Sequence, residues 1–219
     1  MGTYAYRDSV TIRAPHSPGG IHVVGVFSTI GDATIQFVGS FATTTLDADV
    51  YTNGDDKLFE DSIIIGQGRD IVISTGPLGG DITVEGRIDG VPDIGGLAEN
   101  LTIIGGTGDL VIRGDIGGIE PLENLTIISA GRVTIYGSVH VRGTFRIVNT
   151  SGVIDIGAPL SVGGPAGNVV AGTLDINSDA IAHATITLAQ DTSGINGARS
   201  AGKSGNPHPV EDHLHEDAA

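Results

Sequence analysis

The side chains in this sequence that could do chemistry are carboxylates. Asp70, Asp81 and Asp109 share one context, each opening a short apolar run: Asp-Ile-Val-Ile, Asp-Ile-Thr-Val and Asp-Leu-Val-Ile. If such runs stack, some of these aspartates fall into one file, the kind of acidic row a glycan-cleaving site would use. Stacked carboxylates at about 5 Å repel one another unless a cation or a proton lies between them. Aspartate after a glycine turn also has a plainer role, since its side chain bonds the local backbone. That role is the expected one, and no enzymatic activity is expected.

Metal-ligating residues occur in two places. Asp47, Asp49, Asn53 and Asp55 lie in a turn-rich stretch and are the oxygen donors on which a calcium site would draw. Tyr51 stands where a further oxygen ligand is wanted and no Glu closes the twelve-residue frame, so the stretch reads first as a polar turn. Near the C-terminus, His213 and His215 follow Glu211 and Asp212 and are candidate ligands for zinc or copper, with no scaffold to fix their geometry. Calcium is the one cofactor with candidate ligands in the body of the chain; otherwise none is expected. His16, His22, His140 and His183 have no spacing that pairs them, and neither a nucleophile elbow nor a phosphate-binding glycine loop is present.

Composition narrows the partners. The formal net charge is −15, from 26 acidic and 11 basic residues, and only Lys57 and Lys203 are lysines. Phosphate contacts need clustered Lys and Arg, so nucleic acid is excluded as a partner. The absence of cysteine rules out disulfides and thiolate chemistry. No stretch approaches the roughly 18 consecutive apolar residues of a membrane span. Met1 to Gly20 lacks the apolar core of a signal peptide, so the chain is expected to be a fragment or to be exported with its N-terminus intact.

Positioning of these residues falls to a repeat. Gly80 to Gly90 (Gly-Asp-Ile-Thr-Val-Glu-Gly-Arg-Ile-Asp-Gly) is echoed by Gly108 to Gly118 (Gly-Asp-Leu-Val-Ile-Arg-Gly-Asp-Ile-Gly-Gly), and each copy is followed by Glu-Asn-Leu-Thr-Ile-Ile, at Glu99 and at Glu123. Asp109 follows Asp81 by 28 positions (109 minus 81), whereas Asn124 follows Asn100 by 24 (124 minus 100). A fixed strand pattern with an elastic spacer marks a solenoid, in which each unit must stack on a neighbour to bury its apolar side. Glycine is abundant, 35 residues, while aromatics make up 4% and Trp is absent. A core of this kind is filled by Ile, Val and Leu in regular files. Val133, Ile135, Val139, Val141, Phe145 and Ile147 alternate with polar residues, so one face of each strand turns to a common interior. Gly114, Gly137 and Gly143 fall between strands, where a tight corner is expected to need φ > 0. Asn100 and Asn124, equivalent in their copies, are expected to form a short amide ladder.

The fold expected is therefore all-β, a single-stranded parallel β-helix, with residues 1–20 as an N-terminal strand or cap, 21–190 as the solenoid and 191–219 as a flexible acidic, His-containing tail. The repeat phrases resemble those of large secreted bacterial surface proteins of the filamentous-haemagglutinin and adhesin type, over roughly residues 40 to 165. That resemblance implies a right-handed β-helix, an extracellular or cell-surface location and a role as stalk, adhesin or filament. Partners would then be further copies stacked head to tail, other repeats of a larger surface protein, or a glycan or cell-surface receptor. A glycan-binding or glycan-cleaving β-helix is the alternative; against it, the nine Tyr and Phe are spread out.

Overall fold

The β-branched runs become short strands because their side chains pack on a pleated surface, and Gly, Asp and Asn end each one. In the computed structural model the strands are β1 (Tyr4–Tyr6), β2 (Val10–Arg13), β3 (Ile21–Val23), β4 (Phe27–Thr29), β5 (Ile35–Val38), β6 (Thr43–Leu46), β7 (Val50–Tyr51), β8 (Lys57–Phe59), β9 (Ser62–Ile65), β10 (Asp70–Ser74) and β11 (Ile82–Val84). They continue as β12 (Ile88–Asp89), β13 (Asn100–Ile104), β14 (Asp109–Ile112), β15 (Leu122–Ala130), β16 (Arg132–Ile135), β17 (Val139–Thr150), β18 (Ile154–Ile156), β19 (Leu160–Val162), β20 (Thr173–Ile176), β21 (Ile186–Leu188) and β22 (Arg199–Ser200). The structure describes residues 9–14, 19–30, 33–39, 43–92 and 97–157, together with the backbone of the strands outside these ranges. Among the described residues there is no helix, and so none long and apolar enough to cross a membrane.

Every strand pairing is parallel, and each turn of chain visits three sheets in succession. The first sheet runs β1-β4-β7-β10-β13-β15-β17-β20-β22, the second β2-β5-β8-β11-β14-β16-β18-β21, and the third β3-β6-β9-β12. The third file is carried on by the bridges Ile88↔Ile116 and Ile116↔Val139 and by the pairing of Val139 with Leu160. The result is a parallel β-solenoid of about six turns.

Register places like residues over like. Val50, Ile73, Ile103, Ile127 and Ile147 stack in one file of the first sheet, and Phe37, Phe59, Val84, Ile112, Ile135 and Ile156 in one file of the second. All are buried, each worth about 2–3 kcal/mol in apolar surface removed from water. Val133, Ile135, Val139, Val141, Phe145 and Ile147 face this interior as their alternation requires. Phe37 stacks on Phe59 with ring centroids 4.8 Å apart, so two of the few aromatics sit inside the rod.

Two columns of glycine hold the coils together at the corners. Gly86, Gly114 and Gly137 lie over one another between the second and third sheets, and Gly80, Gly108, Gly131 and Gly152 between the first and second. The sequence suggested positive φ at Gly114, Gly137 and Gly143, but none of these is among the glycines with positive φ. The reason is instead contact between backbones: a Cβ on Gly114 would lie 2.4 Å from the Gly86 carbonyl oxygen, and one on Gly137 2.3 Å from that of Gly114.

Residues 1–20, read as a strand or cap, supply β1 and β2, the first strands of the first two sheets. Residues 191–219, read as a tail, lie outside the described residues except for β22, which pairs with β20.

Candidate functional site

The three aspartates singled out from sequence do not make one file. Asp81 and Asp109 stack with Asp56 at the corner entering the second sheet, while Asp70 belongs to the first sheet. Their carboxylates are spent on backbone: Asp56 Oδ1 accepts from the Asp81 N–H and Asp81 Oδ1 from the Asp109 N–H, both at 2.8 Å. The same clip recurs elsewhere. Asp49 accepts from Val72 N–H at 2.8 Å, Asp61 from Gly39 N–H at 2.6 Å, Asp89 from Ile119 N–H at 2.9 Å and Asp115 from Ser138 N–H at 2.7 Å. Each of these bonds joins adjacent coils, where the sequence suggested a bond to local backbone. Ser138 also donates its hydroxyl to Asp115 at 2.8 Å, and its two hydrogen bonds hold the Asp115 carboxyl below the usual carboxylate range. Asp61, buried in the wall, is pushed up by burial, an effect that the bonds from Gly39 and Thr44 oppose.

The amide ladder is present and longer than the repeat indicated. Asn124 Nδ2 donates to Asn100 Oδ1 at 2.7 Å, Asn100 Nδ2 to Asp70 Oδ1 at 2.6 Å, and the Thr144 N–H to Asn124 Oδ1 at 2.8 Å. Four successive coils are thereby linked along one line.

The four calcium candidates are divided by a strand. Val50, buried, anchors β7 in the middle of the stretch, so Asp47 and Asp49 lie at the corner before it and Asn53 and Asp55 at the corner after it. Asp47 meets His22 Nε2 at 2.7 Å and Arg69 Nε at 3.7 Å. Tyr51 donates its hydroxyl to Asp49 at 2.8 Å, and burial together with that carboxylate raises the phenol to about 12. Among the described residues no group of three or more His, Asp or Glu side chains is placed to hold a metal. His213 and His215 lie outside the described residues.

Sequence reasoning missed Lys57. It occupies an inward position of β8, paired with Ile35 on one side and Ile82 on the other, and is 1% exposed. Its ammonium donates to Thr52 Oγ1 at 2.8 Å and to the Ser74 carbonyl. Burial lowers its pKa to about 7, while Asp55 pulls the other way. No apolar periodicity announces a lysine inside a core; only the alternation Lys57-Leu58-Phe59, with Phe59 inside, places it there.

The largest unused bonding capacity lies at the ends of the stack. Among the described strands, β1, β2 and β3 each pair on one side only. The N–H groups of Val10 in β2 and of Ala14 just after it donate to the Thr34 and Val38 carbonyls of the next coil at 2.9 and 3.0 Å. Strand alternation turns the N–H groups of Thr11 and Arg13 the opposite way, toward the open edge. These features define a parallel β-solenoid in which, among the described strands, β1, β2 and β3 are paired on one side. Compared with protein-family models, curated proteins and solved structures, the chain matches none. The β-solenoid repeat that the resemblance implied is what the structure has; kinship with the filamentous-haemagglutinin type rests on the repeat phrases alone.

Proposed function

We propose that this chain is a structural β-solenoid, a rod-like subunit or segment of an extracellular cell-surface filament or adhesin, and that it assembles by strand stacking between copies. The observation that carries the reading is that, among the described strands, β1, β2 and β3 pair on one side and continue the ladder geometry of the interior. A second copy stacked on their other side makes a head-to-tail contact, and such a contact does not close, so it propagates as a filament. The acidic side chains support the same role, since Asp49, Asp56, Asp81 and Asp115 act as coil-to-coil clips. The buried Phe37, Phe59 and Phe145 are withdrawn from any sugar-stacking surface.

Thr11→Pro tests which edge is used. Proline removes an N–H aimed at the open edge while the bonds from Val10 and Ala14 to the next coil remain. Wild-type chain is expected to show sedimentation coefficients that climb with concentration, and the variant to sediment as one species with unchanged circular dichroism. Equal association of the two would exclude the β2 edge as the contact.

A further inference from the structure

The outer surface of the first sheet differs from the other two. Because Leu101, Ile103, Leu125 and Ile127 are buried, alternation turns Thr102 and Ile104 of β13 and Thr126 of β15 outward, beside the Asn100 and Asn124 ladder. Ile128 is 38% exposed, and Val72 of β10 pairs with Thr102 in the same file. These side chains cover three successive coils without a charge, bordered by Asp70 and Glu123 at the corner. The second sheet instead carries Asp56, Glu60, Asp81, Glu85, Asp109 and Arg113 at the ends of its strands over three coils, and the third has His22, Asp89 and His140 along its file. In a chain of net charge −15, the first sheet is the surface on which a second copy meets least repulsion.

Charge along the file fixes the orientation of the partner. Asp49 accepts the Val72 N–H from the coil below; Val72 pairs with Thr102, Thr102 with Thr126 and Thr126 with Arg146. The file therefore runs from an acid through three uncharged positions to a base. We infer that a second copy of this chain docks side by side on the first sheet, the two rods antiparallel about a two-fold axis lying along β13. That reversal sets Thr102 over Thr102, Val72 over Thr126 and Asp49 over Arg146 of the other copy, whereas a parallel partner sets like charge over like. Three coils at about 4.8 Å and five residues at about 3.3 Å make an uncharged face on the order of 240 Å2, against roughly 800 Å2 per partner in a standard interface. Single rods therefore pair weakly. Joined end to end, copies repeat the contact once per chain and the pairing strengthens by avidity. Only that strengthening rests on the filament reading; the docking itself does not.

The chain has no cysteine, so single-cysteine variants report the contact directly. Thr102→Cys lies on the axis, and Thr134→Cys, between Val111 and Asp155 on the outer surface of the second sheet, is the comparison. Facing sheets lie about 10 Å apart, a gap that a short bifunctional maleimide spans. Copies joined only end to end hold their Thr102 residues a whole rod apart, about 30 Å for about six turns, and give no product. Cross-linked dimer is expected to form at least tenfold faster from Thr102→Cys than from Thr134→Cys. Thr126→Lys, added to Thr102→Cys, is expected to slow cross-linking at least tenfold by setting a charge against Val72 of the other copy. Val72→Glu as a third change is expected to restore most of the rate, with circular dichroism unchanged throughout. Equal rates at the two cysteines, or no effect of Thr126→Lys, overturn the docking surface; loss without rescue overturns the antiparallel orientation.

Discussion

Gly114→Ala lowers the stability of the fold by about 3 kcal/mol or more, whereas Gly25→Ala leaves it unchanged or raises it by up to about 1 kcal/mol. The two substitutions add the same methyl group. At Gly114 that group would sit 2.4 Å from the Gly86 carbonyl oxygen and 2.6 Å from its carbon, and both obstacles are backbone. Relief requires the two coils to part, which breaks the ladder on either side of the corner and strains the Asp115 clip to Ser138. Around Gly25 nothing lies within 4 Å of a Cβ and φ is not positive, so alanine there only restricts the unfolded chain. Thermal and urea unfolding measure the difference directly. Hydrogen exchange adds the location: protection is expected to fall first in β11 and β14, the strands that flank the Gly86–Gly114 contact. Equal stability of the two variants would mean that the corner does not hold its coils at this spacing.

Lys57→Met is expected to stabilise the protein, by about 1–4 kcal/mol at pH 6. Methionine has similar length and no charge, and the two groups that accept from the ammonium keep other partners, while Asp55, whose charge favours the ammonium, offsets part of the gain. Thr52 Oγ1 still donates to the Asp55 carbonyl at 2.5 Å, and the Ser74 carbonyl still accepts the Thr52 N–H at 2.8 Å. The sign of the pH dependence follows from linkage. Burial depresses the lysine from 10.5 unfolded to about 7 folded, so between those values the unfolded chain binds the proton and the folded chain does not. Stability of the unaltered protein therefore carries the full cost of the buried amine below pH 7 and regains it as pH rises toward 10.5. The advantage of Lys57→Met is largest at pH 6 and shrinks steadily by pH 10. Taking the difference between the two proteins cancels the general repulsion of a chain with net charge −15. Paired melts at pH 6, 8 and 10 check it; a variant less stable at pH 6, or an advantage independent of pH, would contradict the burial of Lys57 as a charged group's site.

What the sequence disclosed, and what it hid, divides by range. Strand pattern is local, so residues 132–148 could be read by alternation alone, and every residue assigned to the interior there is buried. Asn100 and Asn124 were readable because the phrase Glu-Asn-Leu-Thr-Ile recurs, and equivalent places in a solenoid touch. The partners of the aspartates were not, since each bond crosses a whole coil: Asp81 and Asp109 are 28 residues apart and Asp56 and Asp81 are 25. Local turn chemistry predicts the right residue type with the wrong partner. Val50–Tyr51 is too short to show alternation among its polar neighbours, so the stretch from Asp47 to Asp55 looked like one loop when it spans two corners. Lys57 and Glu99 were hidden for the opposite reason, being charged residues in positions that patterning reserves for apolar ones. For Gly114 and Gly137 the residue type was legible and its physical reason was not, because the demand comes from the neighbouring coil.

These features fit a rod whose strength lies in contacts between turns. Backbone ladders, glycine columns, aspartate clips and the Asp70-Asn100-Asn124-Thr144 line all run along the stacking direction. Each added coil reuses the geometry of the one before, and in the proposed assembly β1, β2 and β3 would offer that geometry to a second copy. Negative-stain electron microscopy of the purified chain over a concentration series tests the proposal most directly. Long unbranched filaments that lengthen with concentration are the predicted result; short single rods at every concentration would contradict assembly by end-to-end stacking.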